Sequence, residues 1–452
     1  VAERCVNEKS ETGFAPPPPP QAGEVERKLG WFREELRKLV VPCAPIRDID
    51  FVNMYRGPKR RVYEQARLSL LREPLTAKDS EVDAFVKYEK IMKPDATPRA
   101  IFPRKPRFNI SLGVWLRPIE EKMFDWIGEL CGPNTVMKGL NVDDMGNAFR
   151  DKWNRFERPV AISLDAEKFD GHALEDVLKF KHSVQQLPYR SRELRRLQKR
   201  QLVNVIRAVC PDGYFVVKIV GRIMSGDIDT SMAAVILMCA MTASYCKWLG
   251  IKAEFGDNGD DIVVITERSN EKSFLADYEK FYRECGFKMA LEGVAYRLEH
   301  IVFCQMSPIE ITPGRYRMVR TLKRALIRDS ACLKPLSNAK AMVTWLNAIG
   351  ECGLALTSGI PIYQALYEHL RTVHGGSKKS RMKFDRDFDS KRAFSKGMVG
   401  KVVPVSDCAR VSFWEAFGVD PTQQSILEQE VSQLSFNYDI NVHLPNQIFD
   451  LL

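Results

Sequence analysis

Three aspartates carry the densest chemistry in this chain: Asp165, at the end of an apolar alternation, and the adjacent pair Asp260-Asp261. Carboxylate oxygens are hard ligands suited to Mg²⁺ or Mn²⁺. Two neighbouring carboxylates on a buried strand repel each other and lose hydration, a cost that a divalent cation offsets. The pair follows Phe255-Gly256-Asp257-Asn258-Gly259 and precedes the β-branched run 262–265. Asn258-Gly259 predicts a two-residue type I′ hairpin tip, with positive φ at both positions. Residues 252–255 and 262–265 are then the flanking strands, with both Asp just past the tip. Taken alone, Gly-Asp-Asp reads more readily as ordinary turn chemistry, because Asp is a favoured turn residue. The upstream residues change that balance.

In Pro159-Val-Ala-Ile-Ser-Leu-Asp-Ala-Glu-Lys-Phe-Asp170, Val160, Ile162 and Leu164 alternate and Asp165 closes the strand. A strand end presents a ligand rigidly; strand termination or capping of the next helix is the plainer use of such an Asp. His172, next to Asp170, reads as a packing or hydrogen-bonding residue. Further on, Ser225-Gly-Asp-Ile-Asp-Thr-Ser231 is a polar loop before an apolar helix at 232–248. Exposed N–H groups and hydroxyls there suit a phosphate or sugar, and Asp229 or Thr230 also suits a plain N-cap. After the hairpin come a helix at 269–285, closed by Gly286, then Lys288, then paired strands at 301–311 and 315–319.

Two stretches are strongly basic. Residues 81–118 hold Lys87, Lys90, Lys93, Arg99, Arg104, Lys105, Arg107 and Arg117, interrupted by prolines at 94, 98, 103 and 106. The prolines favour short extended pieces over an amphipathic helix. Such pieces line a phosphate-bearing channel or form a solvated surface equally well. At 190–207, Arg192, Arg195, Arg196, Lys199 and Arg200 share one helical face, which reads as solvated or as a contact for nucleic-acid backbone.

The elements that must position these groups are bounded by composition. The 452 residues exceed the usual size of a single core, so two or three subdomains are expected. Apolar content of 45% and charge of 28% are those of a globular protein. A net charge of +10 suits a polyanionic partner. The eleven Cys contain no CxxC pair and, with six His, show no zinc spacing; they read as reduced thiols. No secretory signal and no apolar run of membrane-spanning length stand out. The first residue is Val, as expected of part of a longer chain, and any targeting segment would lie outside it. Pro16 to Pro20 make residues 1–23 a stiff lead-in. A helix is expected at 24–40, mostly helical sequence from 323, a charge-rich insertion at 378–401, and an apolar tail at 440–452.

In order, these pieces resemble the palm of viral RNA-dependent RNA polymerases. Asp165 to Asp170 looks like motif A, Ser225 to Thr230 like motif B and Gly259-Asp260-Asp261 like motif C. Lys288 after its helix looks like motif D, Phe303-Cys304-Gln305 like motif E, and the stretch around Lys87, Lys90, Arg99 and Arg104 like motif F. Pro106-Arg107-Phe108-Asn109, Leu116-Arg117-Pro118-Ile119-Glu120, Phe169-Asp170-x-His172 and Gly353-Leu354-x3-Ser358-Gly359-Ile360-Pro361 resemble the tombusvirus-like group of plus-strand RNA viruses. The resemblance covers roughly residues 80–370, and six motifs in order make it specific.

The resemblance implies an α+β right hand: fingers at 24–158 and 181–222, a palm of antiparallel sheet plus helices at 159–180 and 223–305, and a mostly helical thumb with tail at 306–452. It implies RNA-templated RNA synthesis by two-metal nucleotidyl transfer, started without a primer. Asp165, Asp260 and Asp261 would hold two Mg²⁺ or Mn²⁺ ions, and Lys288 would be the general acid. Asp170, Ser225, Gly226 and Thr230, with Lys87, Lys90, Arg99 and Arg104, would bind the nucleotide. Arg104, Lys105 and Arg107 would bind RNA. Implied partners are template, nascent strand and ribonucleoside triphosphates, with other replicase subunits or an upstream replicase domain as further candidates. The implied location is the host cytoplasm, at membrane-associated replication complexes reached through segments or partners outside this chain. One position departs from the pattern: nine residues after Ser225, where most such polymerases carry an Asn that senses the ribose 2′-hydroxyl, stands Ala234. Asp170, Asp229 or Ser231 are the candidates to replace it. A non-catalytic RNA-binding scaffold with the same fold, and a DNA-making palm polymerase, are the competing readings.

Overall fold

The computed structural model describes residues 8–10, 13–89, 97–210, 212–329, 332–333, 336–373 and 394–436. Lys90, Lys93, much of the lead-in, the charged insertion up to residue 393 and the 440–452 tail lie outside the described residues. The fold is α+β, and the chain divides into two compact units. The first takes Val1–Lys87, Thr97–Val136 and Leu164–Glu292; the second takes Tyr88–Ala96, Met137–Ser163 and Gly293–Leu452. These divisions of packing fall at other places than the expected hand divisions.

The first unit is organised around the helix Thr230–Leu249. Its residues are apolar almost all round, so no face is left for solvent. Helices Glu24–Leu39, Glu120–Cys131, Glu175–Gln185 and Glu271–Glu284 enclose it. Its few polar groups are matched: Trp31 Nε1 donates to Ser244 Oγ at 2.9 Å, and Thr242 and Tyr282 share a hydroxyl pair at 2.8 Å. By length and composition alone the helix could cross a membrane, which is weak evidence for a span in a helix that is mostly buried. Burial of most of it within the protein accounts for that composition.

Two four-stranded sheets accompany these helices. One has the order Met289–Ala295, Pro159–Ala166, Asp261–Glu267, Ala253–Asp257; its first two strands run past the unit's limits at Glu292 and Leu164. The other has the order Ala100–Ile101, Val82–Val86, Val203–Cys210, Gly213–Val220, in which the middle pair is parallel. Three expectations are corrected here. Residues 106–116 form a helix, not an extended piece, because Pro106 occupies its first turn, where a missing N–H costs nothing. The lead-in contains a short antiparallel pair, Glu8–Ser10 with Gly13–Ala15. The expected strand at 301–311 begins only at Met306, because Phe303 and Met306 exchange backbone hydrogen bonds across a turn with positive φ at Cys304 and Gln305.

The second unit pairs Met306–Thr312 with Arg315–Arg320 and packs helices Ala339–Thr357, Tyr363–Thr372, Asp407–Phe417 and Pro421–Ser432 around Trp345, Tyr363, Tyr367 and Phe413. Helix Pro421–Ser432 starts with a full capping box: Asp420 accepts from the N–H groups of Thr422 and Gln423 at 2.8 and 3.0 Å, and Gln423 Oε1 accepts from Asp420 N–H at 3.2 Å. Asp420→Ala is expected to cost about 1 kcal/mol. Chemical denaturation checks this, and an unchanged unfolding midpoint would contradict it.

Candidate active site

The Gly-Asp-Asp turn differs in detail from a two-residue hairpin. Asp257 pairs with Ile262, so residues 258–261 close the turn, and Asn258 N–H donates to Asp261 O at 2.9 Å. Of Asn258 and Gly259, only Gly259 has positive φ, at 101°. The cause is Asp257, which is fully buried and accepts from Gly259 N–H at 3.2 Å through Oδ2. This side-chain turn replaces the type I′ geometry. Asp260 therefore stands exposed at the tip rather than past it, and Asp261 opens the return strand, half-buried.

Asp165 is second from the end of strand Pro159–Ala166 and half-buried. The next residue, Ala166, donates its N–H to Asp260 O at 3.4 Å, which ties the strand end to the hairpin tip. Burial pushes the Asp165 carboxyl up to about 7, helped by the negative charges of Asp261, Asp260, Glu292 and Glu167. Asp170 is likewise pushed up to about 7, first by burial, then by Asp260 and Asp227. Strand, hairpin and the Asp170 turn thus gather one patch of mutually repelling carboxylates. Among the described residues, no three His, Cys, Asp or Glu side chains form a ready metal cage. The donor set nonetheless fits a hard divalent cation, because it consists of carboxylate oxygens whose repulsion a cation relieves.

Lys288 reaches the same strand end. Its Nζ lies 2.9 Å from Glu167 Oε2, and its carbonyl accepts from Glu167 N–H at 3.0 Å. The ion pair is about two-fifths exposed on each side.

The Ser225–Thr230 loop is stitched on two sides. Ser225 Oγ accepts from Phe102 N–H at 3.1 Å, and Gly226 N–H donates to Phe102 O at 3.3 Å. A Cβ on Gly226 would lie 2.5 Å from Pro103 Cα, so only glycine fits this approach. On the other side, Ile223 N–H donates to Asp170 O at 3.0 Å. Thr230 Oγ1 donates back to the carbonyls of Met224 and Asp227, at 3.0 Å each. Asp229 makes no side-chain cap to the helix it precedes; it is buried and accepts from Lys181, Gln185 and Gln201. Asp229, one of the candidates to stand in for the usual Asn, is thus already bonded to three side chains. Ala234 is half-buried one turn into the helix.

The basic segment divides. Lys87 and Arg99 are exposed, joined by Lys87 N–H to Arg99 O at 2.7 Å. Arg104, expected to face the triphosphate and RNA, is 3% exposed and turned inward: it pairs with Asp227 and donates to Asn204 Oδ1 at 2.5 Å and Ser80 O at 2.8 Å. Lys105 pairs with Asp83 at 2.6 Å. Arg107 pairs with Asp79 at 2.9 Å and donates to Ser69 and the carbonyls of Glu73 and Pro74. Each of the three cations already has a carboxylate within reach: Asp227 for Arg104, Asp83 for Lys105 and Asp79 for Arg107.

Four residues that sequence reasoning missed shape the site: Asp257 in the turn, Glu167 beside Lys288, and Lys181 and Gln201 against Asp229. The Asx position two residues before Gly259 was a readable signal for the first. The partners of the others are too distant in sequence for spacing to show.

The family profile described as "Viral RNA dependent RNA polymerase" matches residues 2–439. The chain is similar to the RNA-directed RNA polymerase of Oat chlorotic stunt virus (isolate United Kingdom), 36% identical over 98% of this chain and 61% of that protein. It is similar to that of Tobacco necrosis virus (strain A), 34% identical over 95% of this chain and 59% of the relative. The third is that of Melon necrotic spot virus, 36% identical over 94% of this chain and 54% of the relative. The chain therefore spans between half and two thirds of the length of these curated relatives.

Proposed function

Since the chain belongs to the viral RNA-dependent RNA polymerase family, we propose that it joins ribonucleotides on an RNA template, starting without a primer, to copy a plus-strand viral genome. The observation that carries this reading is the convergence of Asp165 with Asp260 and Asp261, tied by Ala166 N–H to Asp260 O. In this reading, residues 24–158 and 181–222 are fingers, 159–180 and 223–305 the palm, and 306–452 the thumb and tail. Asp165 and Asp260, assisted by Asp261, are the residues that would hold two Mg²⁺ or Mn²⁺ ions. Such ions, when bound, neutralise triphosphate charge and activate a 3′-hydroxyl.

The chain's own residues supply the rest. Asp170, half-buried beside the strand end, orients the incoming ribose. Ser225, Gly226 and Thr230 shape the wall against the base and template. Lys87 and Arg99, joined outside the described residues by Lys90, steady the triphosphate. Lys288 Nζ gives its proton to the departing pyrophosphate. Arg104, Lys105 and Arg107 act through their ion pairs, by holding the segment's shape. In this reading the work would be done in the host cytoplasm, at membrane-associated complexes reached through other segments or replicase subunits. Comparing ribonucleotide with deoxyribonucleotide incorporation tests the reading: preference for ribonucleotides supports it, and preference for deoxyribonucleotides would move the chain to DNA synthesis.

The carboxylate patch gives a pH prediction. A carboxyl raised from 3.8 to about 7 binds its proton more tightly in the folded state than in the unfolded chain. Its contribution to stability is therefore lost as pH rises from about 4 to about 7, where the unfolded carboxyl ionises freely. A divalent cation that binds the ionised patch reverses this. Stabilisation of the protein by Mn²⁺, read as a rise in Tm over a chelator control, should be larger at about pH 8 than near pH 5. Asp165→Asn should flatten the difference; an equal Mn²⁺ effect at both pH values would contradict the assignment.

A further inference from the structure

A chain of buried side chains behind the Ser225–Thr230 loop has no part in the chemistry above. Lys181 and Gln185 lie one turn apart on helix Glu175–Gln185, and both face Asp229. Lys181 Nζ stands 2.7 Å from Asp229 Oδ2, and Gln185 Nε2 donates to the same oxygen at 2.8 Å. Gln201 Nε2 bridges two carboxylates, donating to Asp229 Oδ1 at 3.0 Å and Asp227 Oδ2 at 3.2 Å. Arg104 closes the far end on Asp227. Lys181, Gln185, Gln201 and Asp229 are each at most 1% exposed.

Burying two ion pairs is costly, and an apolar core of the same shape is often as stable. Breaking one partner is different, because it leaves a charge buried without compensation. A network of this kind fixes geometry more than it adds stability. The geometry it fixes is that of residues 227 and 229, which bracket the loop carrying Ser225 and Gly226 on one side and Thr230 on the other. The loop's backbone also touches Asp170 through Ile223.

We propose that Lys181 and Gln201 are positioning residues of the nucleotide site: together with Asp229 they clamp the Ser225–Thr230 loop in the shape that receives the incoming ribonucleotide. This rests on the polymerase reading for its substrate, while the clamp itself rests on geometry. The burial of Asp229 would raise its carboxyl, but the Lys181 charge and the hydrogen bonds from Lys181 and Gln185 outweigh that and hold it ionised. The neighbouring His182 is kept neutral, first by burial and then by Lys181, and its Nε2–H donates to Gln201 Oε1 at 3.1 Å.

The test uses the full chain and two readouts. Gln201→Met cuts the bridge while each Asp keeps its cation. Hydrogen exchange of the 225–230 backbone should speed up, and KM for a ribonucleoside triphosphate should rise on the order of tenfold, with kcat changed less than about threefold. Lys181→Met should do the same more strongly, because it strands Asp229. Adding Asp229→Asn to Lys181→Met removes the stranded charge and should restore both exchange and KM to within about threefold of the original. That double variant stays decisive where the single one fails to fold: exchange and KM left far from the original would overturn the proposal. Unchanged 225–230 exchange in folded Gln201→Met would also overturn it, whatever the catalytic result. Faster exchange in a protein that makes no RNA at all would instead sink the polymerase reading and leave the clamp standing.

Discussion

Asp260→Ala is expected to abolish RNA synthesis while leaving RNA binding nearly intact. Asp260 is exposed at the tip of the hairpin, and its backbone carbonyl is already tied to Ala166 N–H, so the substitution removes a carboxylate without removing a packing contact. Metal-borne charge stabilisation is worth several kcal/mol in the transition state, and each 1.36 kcal/mol is tenfold in rate. Loss of a bridging ligand should therefore lower kcat by on the order of 10³-fold or more. On the polymerase reading, RNA affinity would rest on the basic balance of the chain, +10 overall, which one fewer negative charge should not weaken. Nucleotide incorporation and fluorescence anisotropy with labelled RNA read the two effects separately. Retained templated synthesis by this variant would sink the assignment of Asp260.

Gly226→Ala is expected to be the next most damaging change. The added Cβ would meet Pro103 Cα at 2.5 Å and Pro103 N at 2.8 Å, both backbone atoms of a neighbouring segment that cannot rotate aside. Either the Ser225 loop or the Phe102–Pro103 segment must move. Overpacking of this kind costs roughly 1–3 kcal/mol. A displacement near 1 Å at a substrate-positioning loop costs on the order of 10²-fold in kcat/KM. Because Ser225 Oγ and Gly226 N–H both hydrogen-bond Phe102, the two segments shift together or separate. A Tm drop with unchanged kcat/KM would show that the loop does not shape the site.

Much of this was legible from local chemistry. Alternation ending at Asp165, turn residues around Asp260 and the polar loop before an apolar helix each signal an element through nearest neighbours, and those elements stand where expected. The apolar helix expected at 232–248 was visible for the same reason, although its enclosure by four other helices was not. What sequence missed depends on distant partners. Arg104 looked like a phosphate ligand because it sits among cations and prolines, yet Asp227 and Asn204 claim it. Nothing within a few residues of Lys181 marks it as buried, yet Asp229, 48 residues on, holds it in the core. Pro106 looked like a helix breaker, but a proline in the first helical turn starts a helix. The type I′ tip failed because Asp257 offers a competing side-chain turn, a preference that turn frequencies alone rank too low.

The measurement that bears most directly on the central claim is incorporation of labelled ribonucleotides on a single-stranded RNA of defined sequence, with Mg²⁺ or Mn²⁺ and no primer, followed by sequencing of the product. The account predicts a product complementary to the template, made only with a divalent cation. Tight RNA binding without any product, under either metal, would contradict it and leave a scaffold that keeps the polymerase fold.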